Sequence, residues 1–470
     1  MAFSVLLIVA MADTAAYGQG IPGQAASGPG FAACPDSATT TGEIDTPCLA
    51  IVDFNDDVIP ANRQGIIRGA GAIMRFGLGV MNAAAAMVPN VDAYWSLALN
   101  PSVTRLYPDR PVHAIAPSKC SPWPACKNGT TSTDPASVET IPEGVARIGA
   151  DSVWSMGFTG AGVHVAVIDT GLDSGHPDLS GNISDGTNCL GDGNPHGCDD
   201  AGSWEDDAGH GTHVGGIIAA VRGNDLDVAG VAPNAKLHAV KVLDSSGSGY
   251  ESNVIAGIEW AAAHGSIGVA NMSLGGTGDC LSDSEAPMRA AIQDALDANI
   301  SVVVAAGNDS SVEIGSLVPA GCPGVIAVAS STAEDGQNKC KRLSGNIPAD
   351  AASYFTTDGA GVTVSAPGEA REDNSCAMVQ SVGILSLAMG GGTVRMSGTS
   401  MAAPHVAGVV ALMLQANGAL TPASVKSELG STAALQGTAP LTHPYVSQSF
   451  DGVREGIVDA PTAVAAALTP

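Results

Sequence analysis

From residue 163 onward, apolar runs of strand length recur between stretches of helix length: VHVAVID, KLHAVKVL, SIGVANMSL, ISVVVAAGN and GVIAVAS. No other feature of the chain narrows its fold so much. The runs are nearly continuous in β-branched and small apolar residues, so their strands are predicted to be buried on both faces. Strands of that kind separated by helices form a parallel sheet. Such sheets carry their ligands beyond the carboxyl ends of the strands, which directs attention to the polar residues closing each run. Asp169 closes the first, Ser273 stands near the end of the third, and Asn308 closes the fourth.

The segment before it has another rhythm. Residues 43–116 run through CLAIVDF, a helical ANRQGIIRGAGAIMRF, two further apolar runs, VDAYWSLAL and VTRLYPDRPVHAI. This is the β-α-β-β-α-β order of a small ferredoxin-like α+β domain. Residues 19–42 and 117–138, rich in Gly, Pro, Ser and Thr, read as linkers on either side of it. Residues 1–18 carry an apolar run from Phe3 to Ala12, which suits a signal peptide and falls short of a membrane span.

The ten cysteines are even in number and several are close neighbours: Cys34 and Cys48, Cys120 and Cys126, Cys189 and Cys198. With no C-x-x-C pair, they point to disulfides in an oxidising compartment rather than to a metal site. A net charge of −27 argues against nucleic acid and anionic membranes as partners. The expectation is a secreted protein.

Two further segments look like helices that open on a polar residue: HGTHVGGIIAAV at His210 and SMAAPHVAGVVALMLQA at Ser400. A serine there is often only an N-cap. The same position also offers free backbone N–H groups and a partial positive charge to a developing oxyanion. An aspartate at a strand end, a histidine and a serine at helix starts, and an asparagine amide are the parts of an acyl-transfer site. A rival reading makes His210 and His213 a zinc pair, but no glutamate follows His210 as a zinc hydrolase requires.

The segments VAVIDTGLDSGHPDL, DAGHGTHVGG, GVAPNAKLHAVKVL, NMSLGG, VVVAAGN and SGTSMAAPHVAG, in that order, resemble the subtilisin-like serine proteases, or subtilases. The resemblance spans about residues 139 to 420 and implies a three-layer α/β fold around a mainly parallel sheet, with residues 139–470 as the catalytic domain. It makes Asp169 the orienting carboxylate, His210 the general base, Ser400 the nucleophile, and Asn308 an oxyanion donor beside the Ser400 N–H. Ser273, Leu274 and Gly275, with Ala305, Ala306 and Gly307, would wall the primary specificity pocket, and Asp309 would extend its tolerance towards basic side chains. His213 and His405 are expected as core residues, and Ser397 and Thr399 as turn residues.

The same resemblance implies a structural calcium ion and no catalytic cofactor. Glu139, Asp178 and Asn224 would offer side-chain oxygens, and Val221, Leu226 and Val228 main-chain carbonyls. Gly223 and Asp227 stand there in place of an Asn and a Gly. It further suggests disulfides Cys280–Cys322 and Cys340–Cys376. Residues 43–116 become a propeptide that assists folding and then inhibits, cut away within 117–138. The implied protein is a monomeric endopeptidase acting on proteins and peptides. A catalytically silent subtilase-fold binding protein is the alternative, and the filled catalytic positions do not favour it.

Overall fold

The computed structural model describes residues 31–40, 44–115, 139–191, 197–200, 203–339, 346–375, 378–434 and 451–469. The expected signal peptide, the 117–138 linker and the pairs Cys120–Cys126 and Cys340–Cys376 lie outside these residues.

The larger unit is built on a nine-stranded sheet. Its order is Thr393–Met396, Met378–Leu387, Val362–Ser375, Ile326–Thr332, Ser301–Ala305, Ile267–Met272, His164–Asp169, Lys236–Lys241 and Ile183–Asn188. Pairing is parallel from Ile183–Asn188 across to Val362–Ser375 and antiparallel in the last two pairs, so the sheet is mainly parallel.

The period of two along a strand explains the three layers. Val165 and Val167 face the core shared with helices His210–Ala219 and Thr399–Ala416, while Ala166 and Ile168 face the core shared with Glu251–His264 and Ala286–Asp297. Thr399–Ala416 is apolar on all sides and its first fifteen residues are buried, as a helix of that composition requires.

The smaller unit has the expected element order: strand Cys48–Phe54, helix Pro60–Gly69, strands Ile73–Gly77 and Ala83–Val88, helix Val91–Ala98 and strand Val103–Pro108. Cys48–Phe54 pairs antiparallel with both Ala83–Val88 and Val103–Pro108, and Ala83–Val88 with Ile73–Gly77. One face closes over Tyr94, Phe54, Ile67 and Leu97. The other face, with Ile51, Phe76 and Tyr107, packs into the core of helices Glu251–His264 and Ala286–Asp297.

The linker expected over 19–42 needs correction where it is described. Ala32–Ala33 adds a short parallel strand beside Cys48–Leu49, and Cys34 is bonded to Cys48. Small residues pair as well as large ones when a disulfide holds the register, and composition does not show that. Cys189–Cys198 and Cys280–Cys322 are also bonded.

Candidate active site

Asp169 ends its strand with its carboxylate fully buried, and its Oδ1 accepts from His210 Nδ1 at 2.7 Å and from Thr170 N–H at 2.7 Å. His210 reaches it because the turn before helix His210–Ala219 is clamped by Asp206. That carboxylate accepts from the N–H groups of Ala208, Gly209 and Thr212 and from the hydroxyls of Thr170 and Thr212, at 2.6 to 3.0 Å. Gly211, the second residue of the helix, has to be glycine, since a Cβ there would lie 2.1 Å from the Gly171 carbonyl oxygen. Burial opposes the charged imidazolium of His210, but the charge and hydrogen bond of Asp169, joined by Asp206, raise its pKa above 6.5.

His213 lies one turn on and does something else. Its Nε2–H faces the carbonyls of Ile384 and Val394 at 3.2 Å, and burial pushes its pKa down to about 3. His405 is likewise pushed by burial down to about 4, with Nδ1 bonded to the Met401 carbonyl at 2.8 Å. Both are neutral core residues, and the His210–His213 metal pair finds no support in these orientations.

Ser400 is the second residue of helix Thr399–Ala416 and is fully buried. Its hydroxyl is 2.6 Å from the Ile115 carbonyl oxygen and 3.1 Å from that of Ser273, while His210 Nε2 is buried with no hydrogen-bond partner among the described residues. The Ile115 carbonyl also accepts from Asn308 Nδ2 at 3.0 Å. The amide is aimed there by Thr399, whose N–H and hydroxyl donate to Asn308 Oδ1 at 2.9 and 3.0 Å. Thr399 therefore belongs to the helix and orients the amide, where a turn residue was expected. Ser397 keeps to the turn and accepts from the Ser381 hydroxyl at 3.1 Å. At Gly398, φ is +151° and a Cβ would sit 2.9 Å from Asn308 Nδ2. The carbonyl's pocket depends on that glycine.

Ile115 arrives on strand Pro111–Ala114, which runs antiparallel between Ser248–Tyr250 and Leu274–Thr277. Ser273 and Leu274 hold it through the Ile115 N–H to Ser273 carbonyl bond of 3.1 Å and the Ala114–Leu274 pairing. Gly275 lies beside the Ile115 side chain, and a Cβ there would approach the Val318 carbonyl oxygen to 3.1 Å. Ala305, Ala306 and Gly307 carry the chain from strand Ser301–Ala305 to Asn308, and the Thr399 hydroxyl fixes Gly307 N–H at 3.1 Å. The opposite wall, where Ala114 N–H donates to the Gly247 carbonyl at 2.8 Å, was not read in the sequence. Its signal was the Gly- and Ser-rich DSSGSGY. The Asp309 carboxylate accepts from the Ser311 N–H and hydroxyl of its own turn.

The six expected calcium ligands lie in one neighbourhood. Asn224 Nδ2 donates to Asp178 Oδ1 at 2.7 Å, Val228 N–H to Asp178 Oδ2 at 3.0 Å, and Val221 N–H to the Asp178 carbonyl at 2.9 Å. Glu139 joins through the N–H of Gly223 at 2.5 Å, and Leu226 N–H donates to Asn224 Oδ1 at 2.9 Å. Asp227 takes φ +22° at the position where a glycine was expected, and Gly223 φ +82°. Burial, with Asp227 and Glu139 nearby, pushes the Asp178 carboxyl up to about 7. An oxygen-only set with surplus negative charge fits a hard divalent cation.

Comparison with known proteins identifies the family. The profile described as "Subtilase family" matches residues 160–451. Subtilisin E of Bacillus subtilis (strain 168) is 35% identical over 408 residues, covering 86% of this chain and 90% of that protein. Subtilisin of Bacillus pumilus is 38% identical over 303 residues, 64% of this chain and 94% of that one. Among solved structures, a protease from Pseudoalteromonas arctica PAMC 21717 superposes with a TM-score of 0.52 at 33% identity, covering 68% of this chain and 94% of that one.

Proposed function

The chain belongs to the subtilase family and is a subtilisin-type serine peptidase, and from that premise we propose that it is a secreted, self-processing endopeptidase in which Ser400 is the nucleophile. Ser400 Oγ attacks the substrate carbonyl carbon as His210 Nε2 takes its proton. Asp169 holds the imidazole through Nδ1 and stabilises the imidazolium. The carbonyl oxygen becomes an oxyanion bonded to Asn308 Nδ2 and the Ser400 N–H at the helix start. His210 then returns the proton to the leaving amine, and water resolves the acyl-enzyme by the reverse steps. Substrate enters as an extended strand between Ser248–Tyr250 and Leu274–Thr277, held by main-chain hydrogen bonds.

One observation carries this reading: the Ile115 carbonyl oxygen lies within hydrogen-bond distance of both Ser400 Oγ and Asn308 Nδ2. The segment through Ile115 is thus the enzyme's first substrate and afterwards its inhibitor, a propeptide bound by its own tail. The bond cut is Ile115–Ala116, one residue ahead of the 117–138 linker in which the family resemblance places it. Ile115, Ala114 and Val112 are all buried, so substrates with apolar residues at the corresponding positions are preferred. Glu139, Asp178 and Asn224, with the carbonyls of Val221, Leu226 and Val228, hold a calcium ion that supplies structural charge neutralisation. The mature enzyme is a monomer.

The test is the intact mass and N-terminal sequence of the expressed chain, wild type beside Ser400→Ala. The wild type is expected to yield a polypeptide beginning at Ala116, and the variant to remain uncut there. Identical cutting of both chains would remove Ser400 from the reaction. A wild-type cut at another bond would refute the Ile115 assignment.

A further inference from the structure

The end of the main sheet remote from Ser400 carries a second cluster of histidine and aspartate. Asp185 and His238 are register partners on neighbouring parallel strands, and His164 begins the next strand. His264 closes helix Glu251–His264 above them. His238 Nδ1 is hydrogen-bonded to Asp185 Oδ1, and His264 Nε2 lies 3.3 Å from Asp185 Oδ2. One donor atom from each of Asp185, His238 and His264 lies within 4.8 Å of the others. His164 and Asp169 are the two ends of one strand, which separates this cluster from the Asp169–His210 pair by about 16 Å.

We propose that Asp185, His238 and His264 bind a divalent transition-metal ion of the zinc class, with water completing a tetrahedral shell. Two imidazoles and one carboxylate suit zinc, and also copper or nickel, better than calcium or magnesium. Tetrahedral bonds of about 2.1 Å need donors about 3.4 Å apart. The groups that close that gap are the adaptable ones, a half-exposed Asp185 and a His264 at a helix end.

The partners of the two imidazoles carry the argument further. A ligating histidine is oriented by a hydrogen bond from its other ring nitrogen. His238 Nε2 is 2.7 Å from His164 Nδ1, and His264 Nδ1 is 2.9 Å from Ser266 Oγ. When the ion takes His238 Nδ1, the ring proton resides on Nε2 and is donated to His164, and His264 donates to Ser266 in the same way. Without the ion the His164–His238 bond reverses, with His164 Nδ1–H donating and His238 Nδ1–H bonded to Asp185. Both nitrogens of both rings therefore have a partner in the loaded state. The ion would tie the end of helix Glu251–His264 to strands Ile183–Asn188 and Lys236–Lys241.

The experiment is calorimetric titration of zinc chloride into the full chain carrying Ser400→Ala, in excess calcium so that the Glu139–Asp178 site does not compete. One zinc per chain is expected. His264→Gln and Asp185→Asn should each weaken it roughly 100-fold or more, and His164→Gln by about 10- to 100-fold. Trp260, whose ring centroid is 4.8 Å from that of His264, supplies a second readout. Copper(II) should quench its fluorescence, and the quenching should vanish in His264→Gln. Circular dichroism checks that the variants fold, and His264, partly exposed at a helix end, is the substitution least able to disturb folding. Absence of stoichiometric zinc binding, or binding and quenching unchanged in both His264→Gln and Asp185→Asn, would overturn the proposal.

Discussion

Strand His164–Asp169 joins two histidine–aspartate pairs that behave in opposite ways. At its carboxyl end the aspartate is fully buried and His210 is 9% exposed; at the other end Asp185 is 51% exposed and His238 is 1% exposed. Burial works against the imidazolium in both places. Around His210 it is overcome chiefly by the charge and hydrogen bond of the buried Asp169, with Asp206 adding to them, and the pKa rises. Around His238 burial prevails over the half-exposed Asp185, with His264 and His164 adding to it, and the pKa falls. The lesson is that a His–Asp contact does not determine its own chemistry. Burial and the neighbouring charges set it together.

The sharpest way to break the contrast is Asp169→Asn. It removes the charge while keeping the shape, leaves His210 without its anionic partner, and should lower kcat by about 10⁴-fold in a peptide hydrolysis assay. Loss of less than tenfold would mean that burial by itself organises His210. Asn308→Ala tests the neighbouring donor and should cost about 10²–10³ in kcat with KM little changed. A matching delay in release of the segment ending at Ile115 should be visible by gel.

Asp206→Asn sharpens the comparison further, because it removes a charge that only the His210 end has. His210 must be neutral to accept the serine proton, so a raised pKa places the acid limb of kcat/KM above pH 6.5. Removing Asp206 lowers that pKa and should move the limb to lower pH. The looser turn should cost about 10- to 100-fold in rate. A pH profile with an unmoved limb would assign Asp206 a purely mechanical part. The smallest effect is expected from Asp185→Asn in the metal-free protein. With the carboxylate half in water, thermal melting in chelator should show a loss of about 0.5 kcal/mol or less.

Much of the site was legible in the chain because its parts are local. Asp169, His210, Asn308 and Ser400 each sit at the end of a periodic segment, and a strand end or helix start is recognisable from a dozen residues. Asp206 escaped notice because its role lies in five hydrogen bonds rather than in a pattern. Thr399 escaped because a threonine beside a helix start looks like an ordinary turn residue until its partner, 91 positions away, is known. The His164, His238 and His264 cluster is spread over 100 positions and has no sequence signature of its own.

The alternation of apolar runs and helices determined the parallel part of the sheet, since a helical crossover between strands returns the chain in the same direction, and the sheet in turn dictated which loops hold the chemistry. What no segment contains is register between distant strands. That the Ile115 carbonyl, and not a later one, meets Asn308 follows from how Pro111–Ala114 is seated between Ser248–Tyr250 and Leu274–Thr277. Ser400 and Ile115 are 285 positions apart, and backbone hydrogen bonds between strands are indifferent to side-chain identity. Only the packed molecule selects which bond lies against the serine.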